Sequence, residues 1–185
     1  AKALTEDPPG KQDGGDLGVR VTNETGHKLP TGHIEGRRVW INVRFLTAAG
    51  ALVGEHGGYD TATATLDTAS TTVYEMHVGL SDDAAIVTGL PAGPTGHMSL
   101  ADTIVKDNRI PPRGFDNAAF AAGGAPVVGA NYADGQYWDE PPFPIPAAAE
   151  RAEVTLYYQN TPRDYIEHLR DGNVTDDWGT TLHRL

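Results

Sequence analysis

Histidine is the residue type with the most chemistry to offer in this 185-residue chain, which has seven histidines and no cysteine. A neutral imidazole ligates zinc, copper or iron and titrates near neutrality. His27 and His33 lie six apart around the turn KLPTG, a spacing that suits neither a helix face nor a strand face. His77 is two residues from Glu75, so both project from one face of a strand. His97 follows a Pro/Gly turn, and His56 sits among glycines. Brought together, His27, His77 and His97 would make a three-histidine site for a small metal enzyme. The alternative is that each imidazole is solvated or satisfied within the core. No His-Glu-x-x-His pattern is present.

The absence of cysteine excludes disulfides, thiolate zinc, iron–sulfur clusters, thiol nucleophiles and a haem attached through Cys-x-x-Cys-His. Hard oxygen ligands occur in YADGQYWDE, where Asp134, Asp139 and Glu140 flank the flexible Gly135. Carboxylates on a loop suit Ca²⁺, although the EF-hand spacing is missing. The same segment aligns Tyr132, Tyr137 and Trp138, aromatics that would stack on sugar rings in an extracellular glycan-binding module. No G-x-S-x-G elbow, dinucleotide fingerprint or phosphate loop appears, so nothing marks a catalytic nucleophile.

Charge is unevenly placed. The chain carries 14 Lys+Arg against 25 Asp+Glu, a formal net charge of −11, which argues against nucleic-acid binding. Residues 27–44 nevertheless sum to +3, leaving −14 elsewhere. Lys28, Arg37 and Arg38 in that segment are candidates for contact with an anionic group or partner. The competing reading pairs them with the protein's own acids. No apolar run approaches the ~18 residues of a membrane span.

These residues need a scaffold, and the periodicity indicates mostly strands. Arg38 to Leu46 alternates, with Val39, Ile41, Val43 and Phe45 on one face and Trp40, Asn42 and Arg44 on the other. Further strands are expected at 17–22, 51–59, 71–78, 100–107 and 153–159, separated by turn clusters such as LPAGP and NRIPPRG. Residues 1–16 are polar and Pro/Gly-rich, a linker or N-terminal arm. A single domain over 17–185 follows. Within it, residues 111–149 form a long covering loop, aromatic enough to pack, and 161–171 a helix. Thr161 suits that helix's N-cap, Pro162 its first position, and Gly172 its end. The fold expectation is an antiparallel β-sandwich with one short C-terminal helix.

Four segments together resemble a known family. VTNETGHKLPTGHIEGRRVWINVRF, GLPAGPTGHMSLADTIVKDNRIPPRGF, YADGQYWDEPPFPIP and AEVTLYYQNTPRDYIEHLRDGN are similar, in this order, to the C-terminal β-domain of bacterial multihaem c-type cytochromes. They span about Val21 to Asn173. The chain departs from that pattern in lacking every Cys-x-x-Cys-His haem site, and in having His33-Ile34 where an aromatic and a proline are expected. The resemblance implies a non-catalytic structural or docking domain of an extracytoplasmic electron-transfer assembly. It also implies that the chain is a fragment, or a subunit beside a haem-bearing partner. Any haem c is then held by a partner segment or chain. His27 and His97 fall inside the matching motifs and become the candidates to face or ligate such a haem.

Overall fold

The computed structural model describes residues 3–6, 15–32 and 36–184. In chain order the strands begin with β1 (Ala3–Glu6), β2 (Asp16–Gly18), β3 (Val21–Thr22), β4 (Arg38–Leu46) and β5 (Leu52–His56). They continue with β6 (Tyr59–Asp60), β7 (Thr65–Leu66), β8 (Val73–Tyr74) and β9 (Met76–Leu80). Helix α1 (Asp82–Thr88) leads to β10 (Gly93–Pro94), β11 (Thr103–Asp107) and α2 (Asn117–Ala122). Then come β12 (Trp138–Asp139), β13 (Pro142–Pro144), β14 (Arg151–Gln159), α3 (Arg163–Gly172) and α4 (Trp178–Arg184).

The alternating segment becomes the central strand. β4 pairs antiparallel with β14 over nine residues, from Arg151↔Leu46 to Gln159↔Arg38, and with β5 and β8 on its other side. Its alternation correctly marks Val39, Ile41, Val43 and Phe45 as core, packed with Leu17, Val21, Tyr74, Ile110 and Phe143. The opposite face is covered too, because Trp40 is buried with Leu66 and Val73 and stacks on Tyr157 at 5.2 Å. Two small ribbons, β2–β13 and β3–β12, contribute Leu17, Phe143 and Val21 to the same core. The architecture is mainly β and antiparallel with a C-terminal helix, as the periodicity indicates.

Several boundaries differ from expectation, each for a local reason. The strand expected over 51–59 breaks at Gly57, which turns at φ +64° with Ile41 O where a Cβ would stand. The strand expected over 71–78 divides at Glu75, whose N–H goes to the Asn108 side chain rather than to a strand. β8 therefore joins the main sheet while β9 joins a three-stranded sheet with β10 and β11. Residues 111–149 bury Phe115, Tyr132 and Phe143 and contain α2, β12 and β13. The C-terminal helix starts at Arg163, with Pro162 at its N-cap and no side-chain cap, so Thr161 does not cap it. It runs through Gly172 to a C-cap at Asn173. The N-terminal arm falls partly outside the described residues, but β1 within it pairs with β14.

Candidate functional site

The turn after β3 is built around Asn23, which is wholly buried. Its amide nitrogen donates to His27 O at 2.8 Å and to Ile110 O at 2.9 Å. Its oxygen accepts from the Thr25 N–H at 2.9 Å and the Thr25 hydroxyl at 2.6 Å. Every hydrogen-bonding site of one buried side chain is thus used to hold a five-residue turn against the core. His27 stands exposed on that turn with Nδ1 3.2 Å from Thr25 Oγ1.

The next residue anchors the turn. Lys28 is only 5% exposed, and its ammonium lies 2.8 Å from Asp107 Oδ2 and 2.9 Å from Pro126 O. Lys28 is therefore not on the surface expected of a partner contact. Arg109 grips the same carboxylate with Nε at 2.7 Å and Nη2 at 2.8 Å. Burial alone would raise the Asp107 pKa, but hydrogen bonds from Arg109 and Lys28 outweigh it and hold the carboxyl below its usual range. Burial lowers the Lys28 pKa, partly offset by Asp107. Backbone bonds between Leu29 and Ile110 close the junction.

The remaining histidines are distributed differently from the three-histidine expectation. His77 pairs with Glu75 at 3.2 Å on one face of the strand region, as the spacing suggests, and Lys106 joins at 2.8 Å. Burial would raise the Glu75 pKa, yet these two partners hold it low. His97 meets His168 of α3 edge-on, with ring centroids 5.3 Å apart. The two line an open groove of about 480 Å³ with Leu169, Trp178 and Leu182. His168 comes so close to Gly96 that a Cβ there would collide with its ring. It was not among the sequence candidates, because no local spacing links residue 168 to residue 97. His33 lies outside the described residues. Among the described residues, no group of three or more His, Asp or Glu side chains is arranged to hold a metal ion, and His27, His77 and His97 do not converge.

The acidic loop is likewise engaged residue by residue. Asp134 accepts from Asn117, Asp139 from the Tyr74 hydroxyl, and Glu140 pairs with Arg20. Tyr132 is buried, its hydroxyl bonded to Asn108 O. Tyr137 and Trp138 stand nearly perpendicular at 88°, so the three aromatics make no flat sugar-stacking row. Arg37 donates to Thr31 O and rests over Gly32, while Arg38 donates to Gln159 and lies over Trp40. Neither sits beside Lys28 in a common basic patch, since Lys28 is interior.

No protein-family model matches the sequence, and no curated protein matches it significantly. Among solved structures, the chain is similar to a penta-heme cytochrome c552 from Thermochromatium tepidum, with a TM-score of 0.52 at 16% identity. The likeness covers 92% of this chain and 34% of that one, so this chain spans about a third of the cytochrome's length. At that identity the likeness is one of fold.

Proposed function

We propose that this chain is a structural and docking domain of an extracytoplasmic multihaem cytochrome assembly, corresponding to the family's C-terminal β-domain. The observation that carries this reading is the fold shared with a penta-heme cytochrome across 92% of the chain. The ordered sequence resemblance from Val21 to Asn173 points the same way. In this reading the chain attaches no haem covalently, because it has no cysteine to form thioether bonds. Haem on a neighbouring segment or subunit supplies the electron-transfer chemistry.

The donor set of this chain fits a haem presented from outside. His27 is exposed on a turn tied to the core through Asn23, and its Nδ1 is already bonded within that turn. His97 is exposed at the mouth of the groove beside Trp178. Either imidazole would act as a ligand or as a contact to a haem edge. His27 is favoured for ligation, because a metal-bound imidazole needs its second nitrogen held by the protein. Among the described residues no helix is long and apolar enough to cross a membrane.

The test is isolation of the tagged chain from its native host, followed by a visible spectrum and haem quantification of what it holds. A stoichiometric c-type cytochrome bound to the chain is expected. Purification of the chain alone, with no haem protein retained at low or moderate salt, would overturn the proposal.

A further inference from the structure

The hydrogen bonds around His27 favour one tautomer of its ring. Asn23 donates its amide nitrogen to two carbonyls, His27 O and Ile110 O, so that nitrogen cannot be exchanged with the oxygen. The Asn23 oxygen already accepts from the Thr25 N–H. The Thr25 hydroxyl has one proton and faces two pure acceptors, Asn23 Oδ1 at 2.6 Å and His27 O at 2.8 Å. Whichever takes that proton, none remains for His27 Nδ1 at 3.2 Å. A bond at that contact is then donated by the ring and accepted by Thr25 Oγ1.

We infer that Thr25, oriented by buried Asn23, is a positioning residue that holds neutral His27 as the Nδ1–H tautomer, with the Nε2 lone pair free on an exposed ring for an iron centre brought by a partner. This rests on the proposed haem-associated role for what the lone pair binds, but not for the tautomer itself. Free histidine favours the opposite, Nε2–H, form. The turn therefore presets the ligating nitrogen before any iron arrives. The same bond fixes the ring's orientation and removes part of the ordering cost of ligation.

Nitrogen-15 correlation spectra of the histidine rings, recorded at alkaline pH, test the tautomer directly. His27 in the native chain should show a protonated Nδ1 and a bare Nε2. Thr25→Val, which keeps the branched shape but loses the acceptor, should shift His27 toward Nε2–H, and Thr25→Ser should restore the native pattern. Unchanged proton signals from buried rings such as Tyr74 would show that the variants remain folded. Native His27 found as Nε2–H, or a pattern unaltered by Thr25→Val, overturns the inference.

The second arm titrates a short haem c peptide with one open axial position. The native chain should shift its Soret band, Thr25→Val should bind about tenfold more weakly, and His27→Ala should bind no better than background. Equal binding by native chain and His27→Ala would defeat His27 as an iron ligand and leave the tautomer assignment standing.

Discussion

Asp107 is the residue on which most of the His27 region depends. It is fully buried between Lys28 and Arg109, and removing its charge would leave two cations without their common partner. Asp107→Asn should therefore cost about 3–5 kcal/mol in urea unfolding. Lys28→Met should cost much less, about 1 kcal/mol, because Arg109 still holds the carboxylate with two hydrogen bonds and the ammonium's desolvation cost disappears. Equal losses would show that Lys28 is the essential cation.

The same carboxylates set a direction with pH. The folded-state pKa values of Asp107 and Glu75 lie below their ordinary values. Their contribution is thus complete above the ordinary carboxylate range and is lost as pH falls through the depressed folded values. Thermal melts from pH 7 to pH 3 should show a falling midpoint, with a shallower fall in Asp107→Asn. The sequence marked 27–44 as basic but not where each charge would go. Lys28 and Asp107 are 79 positions apart, and no local pattern announces that pairing. The Asn23–Thr25–His27 bonds span only four residues, but Asn23 is also held by Ile110 O, 87 positions away.

At the scale of elements, legibility follows how much of a segment's burial is set by its own period. β4 was readable because Val39, Ile41, Val43 and Phe45 recur at every second position. The covering of its Trp40 face was not, since that comes from Leu66 and Val73 in other strands. Helix α1 escaped notice although Ser81 caps it and Gly89 ends it, because Ile86 and Val87 point to solvent at 81% and 86% exposure and leave no apolar stripe. The break between β5 and β6 rests on Gly57, so Gly57→Ala should destabilise by about 2 kcal/mol or more, since the left-handed turn and the clash with Ile41 O act together. Gly50→Ala, also at positive φ but facing open space, should cost only about 1 kcal/mol. Chemical unfolding of the pair separates backbone strain from crowding. Gly179 plays a similar part at the α3–α4 contact, where a Cβ would press on Leu169 O and the Arg170 backbone.

Across the whole molecule, the expected basic hairpin is dispersed. Lys28 is interior, Arg44 pairs with Glu153 across the sheet, and Arg37 and Arg38 donate to Thr31 O and Gln159. The acidic net charge therefore dominates the surface, and a partner chosen by charge would present a basic face. Under the proposed docking role, binding to a haem-bearing partner should weaken as salt rises from 50 to 500 mM, readable as a shorter residence time or lower affinity in surface-immobilised measurements. Salt-independent binding would place the contact on an apolar region instead, such as the groove of Leu169, Trp178 and Leu182.

By itself the sequence determined what chemistry this chain can hold covalently, since an absent thiol cannot be supplied by folding. It also determined the inward face of β4, because the recurrence of Val39, Ile41, Val43 and Phe45 is written in near neighbours. Only the tertiary structure decided which charges are interior, that His168 meets His97, and that the acidic loop's carboxylates are occupied separately. Those outcomes depend on residues far apart in the chain. For Lys28 and Asp107 burial makes the pairing obligatory, because an unpaired charge in the core costs more than folding has to spare.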